Sequence, residues 1–173
     1  YKSQGVMPRD KIIGFNIGSA VPEKRWPAER FADVADYFGN KGYKTVFFGG
    51  PMDLDMVKPV VEQMKTSPIV ATGAFKLGPL AAAMKWCDLL ITNDSGPMHV
   101  AISQGVPIVA LYGPSNPFFY GPYQAKSIVL ESMDHYEIGK SMKQVIKEGK
   151  YKGISVITEE QVIKAAETLL QES

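Results

Sequence analysis

Cysteine is almost missing from this chain. Cys87 stands alone among 173 residues, which excludes an internal disulfide framework and a multi-cysteine metal site, and suits a reducing compartment. Histidine is equally scarce: His99 and His135 lie far apart, and no cluster of His and Cys has metal-ligand spacing. Net charge is nearly absent as well. Nineteen Lys and Arg against eighteen Asp and Glu leave +1, too little for the broad positive field of non-specific nucleic-acid binding, so no nucleic-acid partner is expected. No apolar run approaches the ~20 residues of a membrane-spanning helix. The start, Tyr1-Lys2-Ser3-Gln4, has neither an initiator Met nor the apolar stretch of a signal peptide, and a piece of a longer chain is expected. Gly-x-Gly-x-x-Gly, the P-loop pattern and the Gly-x-Ser-x-Gly elbow are all lacking. Their absence excludes a standard dinucleotide site, a P-loop phosphotransferase and a triad hydrolase of the elbow type.

What is present is ordinary globular material. Hydrophobic residues make up 45% and charged residues 21%, without the bias of disordered or fibrous chains. A domain of this length buries roughly 70% of the surface of its unfolded chain. Short β-branched or aromatic runs alternate with segments of helical period between positions 11 and 131, the order of a parallel sheet with crossover helices. The runs cover 12–15, 45–48, 89–91 and 108–111, with weaker ones at 69–71 and 128–130. They are apolar nearly throughout, as strands covered on both faces are. Phe31, Val34, Ala35 and Phe38 mark a helix with Pro27 at its first position and Gly42 at its end. Helices are also predicted over 57–64, with Pro59 in the first turn, over 79–87, and over 97–104 with Gly105 as the stop. Thr158-Glu159-Glu160-Gln161 is a capping-box pattern, Ile157 and Val162 form the matching staple, and a last helix runs to about Leu170. Residues 133–152 lose the pattern and read as a surface excursion.

Ligands of an open α/β sheet sit beyond the carboxyl ends of the strands, which directs attention to the loops after each run. Asn93-Asp94-Ser95-Gly96-Pro97-Met98-His99 joins a strand to a helix. Gly96 admits a ligand close to the backbone, Ser95 adds a hydroxyl, and the free N–H groups of the first turn suit a phosphate. The helix dipole contributes ~0.3–1 kcal/mol there and each charge-assisted hydrogen bond ~1.5–3 kcal/mol, so hydrogen bonds decide affinity. A plainer reading stays open, in which Asp94 and Ser95 only cap the helix and His99 packs beside it. In the loop 18–27, Lys24 or Arg25 can neutralise a phosphate facing Ser95, or both are simply solvated, while Trp26 reads as core. In Gly49-Gly50-Pro51-Met52-Asp53, Asp53 either accepts from ribose hydroxyls or caps a helix. Gly113-Pro114-Ser115-Asn116-Pro117 reads as a rigid turn shaping the rim.

Together, Lys24-Arg25-Trp26-Pro27 before a Phe31 helix, Gly49-Gly50 with Asp53, Asp94-Ser95-Gly96-Pro97-Met98-His99 before Gly105-Val106-Pro107, and Tyr112-Gly113-Pro114 resemble the C-terminal half of glycosyltransferase family 9. These are the ADP-heptose:lipopolysaccharide heptosyltransferases. The resemblance implies a GT-B enzyme with two Rossmann-like domains facing a cleft, this chain being the nucleotide-sugar donor domain over 1–173 and the N-terminal acceptor domain lying outside it. It implies that Ser19 and Lys24 hold the diphosphate or donor sugar, Asp53 the ribose and Phe75 the adenine. Ser95 and Gly96 would grip the diphosphate, and Asp94 and His99 belong to the donor-site motif. The sequence departs from the family's pattern at Phe75-Lys76-Leu77-Gly78-Pro79, and it has none of the cysteines many members carry after the last strand. The implied reaction is inverting transfer of a heptose or similar sugar from an ADP-sugar to a lipopolysaccharide-type acceptor. Lys24 stabilises the leaving group, the base comes from the other domain, no metal or further cofactor takes part, and this chain alone is expected to be inactive. The implied place is the cytoplasm, with visits to the surface of the inner membrane. Two alternatives accompany this reading: a relative of UDP-N-acetylglucosamine 2-epimerase, which shares the two-domain architecture and an Asp-Ser-Gly loop, and a non-catalytic nucleotide-binding module.

Overall fold

Six runs of β-branched and aromatic residues pair into one parallel sheet in the computed structural model, which describes residues 2–132, 141–149 and 153–172. The strands are β1 (Ile12–Asn16), β2 (Lys44–Phe48), β3 (Ile69–Val70), β4 (Leu89–Asn93), β5 (Ile108–Tyr112) and β6 (Ser127–Glu131), in the spatial order β3-β2-β1-β4-β5-β6. The chain therefore leaves β1 toward one edge and, after β3, crosses back to β4 on its other side. The carboxyl ends of β1 and β4 form the point where strand order reverses, the position at which such sheets open a crevice. Every strand predicted from the sequence is present, although β3 is only two residues long.

Between and after the strands lie α1 (Ala28–Asn40), α2 (Leu54–Gln63), α3 (Leu77–Met84), α4 (Gly96–Ser103), α5 (Pro117–Tyr120), α6 (Met142–Lys147) and α7 (Glu159–Gln171). Alternate residues of each strand serve opposite layers. Ile13, Phe15, Phe47, Leu89, Ile91, Val109 and Leu111 pack with the buried faces of α1, α2 and α7. Ile12, Val46, Phe48, Leu90, Ile108, Ala110 and Tyr112 pack with Met84 of α3 and Met98 and Ala101 of α4. Two covered faces explain why the strands read as unbroken apolar runs.

Helix starts differ from the sequence reading by a few residues. Pro27 is the N-cap of α1 rather than its first residue, and α4 begins at Gly96, one residue before Pro97. α2 begins three residues earlier than predicted, which places Pro59 inside the helix beyond its first turn. Gly105 ends α4 at φ +73°, a conformation that favours glycine. The capping box of α7 forms as read: Thr158 Oγ1 accepts from Gln161 N–H at 3.2 Å, and Gln161 Oε1 accepts from Thr158 N–H at 2.9 Å. Ile157 and Val162 are both buried in the same core. Within the expected surface excursion, α6 carries its own capping box between Ser141 and Gln144. His135 lies outside the described residues.

Candidate functional site

The β1–α1 loop is tied down on three sides. Trp26 is 1% exposed; its backbone N–H donates to Asn93 Oδ1 at 3.1 Å and its indole N–H to the Ile157 carbonyl at 2.9 Å. It is core, as expected, and it fastens the loop both to the end of β4 and to the approach to α7. Arg25 Nε donates to the Ser19 carbonyl at 2.8 Å, so this cation braces its own loop. Ser19 is buried and its hydroxyl oxygen accepts from Val21 N–H at 3.3 Å. The 3-10 turn Pro22–Lys24 then delivers Lys24 to the neighbouring strand end.

There Lys24 Nζ meets Asp94 Oδ2 at 2.6 Å, with side chains 18% and 6% exposed. The same oxygen accepts from Ser115 Oγ at 2.6 Å. Two charges taken this far out of water are compatible with folding only when paired at short range. Asp94 thus joins loops after β1, β4 and β5 and holds the Lys24 ammonium beside Ser95. The capping reading of this segment fails: Ser95 is the N-cap of α4 but makes no side-chain cap hydrogen bond. Its Oγ instead accepts from Asn16 Nδ2 at 2.6 Å. Among the described residues, the N–H groups of Ser95 and Gly96 have no protein acceptor. A Cβ built on Gly96 would meet no protein atom within 4 Å. Packing therefore does not demand glycine at this position, and the backbone of the first turn of α4 faces open space. His99 is exposed one turn further along.

Asp53 stands beyond the end of β2, next to Gly18. Its Oδ2 accepts from Gly50 N–H at 2.8 Å, capping the short 3-10 turn Pro51–Asp53, while α2 receives no cap from this side chain. A Cβ at Gly18 would collide with Asp53 Oδ1. Phe75, on the loop after β3, is 40% exposed. Among the described residues its ring makes no aromatic contact. Along the carboxyl edge the order is therefore Phe75, Asp53, then Ser19 and Lys24, then Asp94, Ser95 and Gly96, with β3 and β4 roughly 14 Å apart at three strand spacings. Among the described residues no group of three or more His, Cys, Asp or Glu gathers as metal ligands would. No helix there is long and apolar enough to cross a membrane.

A model of glycosyltransferase family 9 (heptosyltransferase) matches residues 2–152. The chain belongs to glycosyltransferase family 9. It is 32% identical over 166 residues to lipopolysaccharide heptosyltransferase 2 of Salmonella typhimurium, covering 93% of this chain and 47% of that protein. Among solved structures, the family 9 glycosyl transferase of Veillonella parvula superposes with a TM-score of 0.96 at 80% identity, over 100% of this chain and 49% of that one. The ADP-heptose lps heptosyltransferase II of E. coli superposes with a TM-score of 0.82 at 29% identity, over 99% of this chain and 50% of that one. The chain thus spans about half the length of the relatives it matches. Membership in family 9 also decides between the two enzyme resemblances, against the epimerase.

Three polar residues that hold this cluster together are given no role of their own by the sequence. Ser115 sits in what reads as an ordinary turn, yet it is 3% exposed and bonded to Asp94. Asn93, fully buried, accepts from Trp26 and donates through Nδ2 to the Ile17 carbonyl at 2.9 Å. Asn16, also fully buried, reaches both Thr92 and Ser95. The signal for the two asparagines was available: each is a polar residue closing an otherwise apolar strand run.

Proposed function

We propose that this chain is the donor-binding half of an inverting heptosyltransferase, carrying an ADP-sugar for transfer to a lipopolysaccharide-type glycan. The observation that carries the reading is the open backbone of Ser95 and Gly96 beside a lysine fixed by Asp94. N–H groups without protein acceptors next to a positioned cation form a cradle for an anion with several acceptor oxygens, as a diphosphate has. The order along the carboxyl edge agrees with the order of groups in a nucleotide sugar: base over Phe75, ribose hydroxyls at Asp53, diphosphate between Lys24 and Ser95, with Ser19 and His99 at its flanks. Likeness to lipopolysaccharide heptosyltransferase 2 supports heptose as the sugar, and likeness to an ADP-heptose lps heptosyltransferase II supports adenosine diphosphate as its carrier.

In the reaction we envisage, an acceptor hydroxyl loses its proton to a carboxylate of the other domain, and its oxygen bonds the anomeric carbon from the face opposite the leaving group. The bond from that carbon to the diphosphate oxygen breaks, and ADP leaves with the electron pair. Lys24 and the amides of Ser95 and Gly96 stabilise the charge growing on that oxygen, an electrostatic role assigned here without a metal. The acceptor, a glycan carried on lipid, would bring the protein to the cytoplasmic face of the inner membrane; this chain by itself would bind donor and transfer nothing. Calorimetry of the chain with ADP and UDP tests the reading. ADP is expected to bind more tightly, with Lys24→Ala weakening it tenfold or more, the effect of losing one charge-assisted interaction. Preference for UDP, or indifference to Lys24→Ala, would refute it.

A further inference from the structure

Asn16 closes β1, is fully buried, and takes no part in the roles assigned above. Its Nδ2 donates to Thr92 Oγ1 at 3.0 Å and to Ser95 Oγ at 2.6 Å. The orientation of the amide follows from its neighbours. The Thr92 hydroxyl gives its one proton to the Asn93 carbonyl at 2.7 Å, so toward Asn16 it can only accept, and nitrogen has to face it. Both amide protons are then committed, and Oδ1 is left buried with no hydrogen-bond partner. An orphaned buried acceptor opposes folding, and a small apolar residue would avoid it.

The gain lies at Ser95. A serine hydroxyl has one proton and two lone pairs. With Asn16 donating into the oxygen and no cap hydrogen bond to α4, the Ser95 proton remains for a ligand. We infer that Asn16 is a positioning residue: its buried amide donates to Ser95 Oγ and commits the Ser95 hydroxyl to act as a donor toward an acceptor-only phosphate oxygen. This rests on the reading that a diphosphate occupies the site. It adds that the site's polarity is set from inside the sheet, by a residue no ligand touches.

The test is calorimetry with ADP and with adenosine, which lacks the phosphates, on the chain and on N16A, S95A and the double variant. ADP binding by the unmodified chain is the first requirement; its absence would overturn the diphosphate reading itself and this inference with it. Given that binding, each single variant is expected to lose about tenfold in ADP affinity while adenosine affinity is unchanged. The double variant should lose little more than S95A, because Asn16 acts through Ser95. An unaltered ADP affinity in N16A, losses that multiply in the double variant, or an equal loss for adenosine would each overturn the inference. Should N16A fail to fold, Asn16→Val removes the donor and the orphaned acceptor while filling the space of the amide. The unmodified chain supplies a further readout: the Asn16 side-chain amide signals in nitrogen-15 NMR should move with ADP and stay with adenosine, and unmoved signals under saturating ADP would count against the inference.

Discussion

Gly18 and Asp53 offer the sharpest test of how the carboxyl edge is built. A methyl on Gly18 would collide with Asp53 Oδ1 and lie 2.5 Å from Cγ and 2.6 Å from Oδ2, so Gly18→Ala has to drive the carboxylate away. What is lost is the hydrogen bond from Gly50 N–H at 2.8 Å. A hydrogen bond to a charged acceptor is worth ~1.5–3 kcal/mol, and Asp53 is only half-buried, so the lower end applies, about 1.5 kcal/mol. Against it stands the reduced freedom of the unfolded chain when glycine becomes alanine, ~0.4–1 kcal/mol. The net cost is about 1 kcal/mol, or a fall in Tm of roughly 2–4 °C for a domain of this size. In an Asp53→Ala background the methyl meets no carboxylate and the bond is already gone, so Gly18→Ala there should be neutral or slightly stabilising. The four proteins of this cycle, unfolded in urea, should show a coupling of about 1.5 kcal/mol. Coupling indistinguishable from zero would refute the claim that Asp53 is seated against Gly18. If Asp53 also holds the ribose, ADP affinity should fall in Gly18→Ala and in Asp53→Ala alike.

Other expectations concern the same edge and the helical layer. Gly96→Ala places its methyl in open space, so urea midpoints should stay level or rise slightly while ADP affinity drops at least tenfold; a variant that bound ADP normally would remove the reason for a glycine at this position. Asp94→Ala leaves the Lys24 ammonium and the Ser115 hydroxyl without their shared acceptor and should cost about 2 kcal/mol, with Asp94→Asn, which still accepts, recovering part of it. Three carboxylates make stability depend on acidity. Burial works to raise the Asp36 pKa, but the Lys65 N–H and the Thr66 hydroxyl and N–H outweigh it and hold it low. Donation from Lys41 and the Tyr37 hydroxyl lowers Glu167. Because the folded values lie below the unfolded ones, about 4, the stabilisation is complete above that pH and lost as pH falls through the folded values. Burial raises Glu131, which acts in the opposite sense, its ionisation opposing folding as pH rises above about 4. Melting from pH 2 to 6 should therefore show a shallower acid loss in Asp36→Asn than in the unmodified chain; parallel curves would refute the role given to Asp36.

Much of the fold was already visible in local patterns. Strands covered on both faces are apolar throughout, and the six runs stand out without any knowledge of their partners. The Phe31, Val34, Ala35, Phe38 stripe and the Thr158-Gln161 capping box are settled within one or two turns of chain, so reading neighbours along the sequence suffices. Helix starts were less legible. Because proline lacks an N–H, Pro59 predicts a first turn, yet α2 begins at Leu54 and accommodates it further in, where Val57 and Val60 pack into the core.

The sequence by itself determined the class of fold, the loops in which chemistry could lie, and through Lys24-Arg25-Trp26-Pro27 and Asp94-Ser95-Gly96-Pro97-Met98-His99 the resemblance to family 9. Only the tertiary structure decided between paired readings of the same residues. Asp94 could cap a helix or bind across loops, and it binds Lys24 and Ser115, 70 and 21 positions away. Lys24 and Arg25 are adjacent cations of equal appearance, yet one reaches the strand end and the other braces Ser19. Ser115 and Asn16 became part of the site only when β5 and β1 were laid beside β4. The reason is physical: strand and helix propensity are short-range properties of neighbouring residues, whereas the polarity of a site depends on which distant side chain supplies each proton, and that is set when the sheet closes its order.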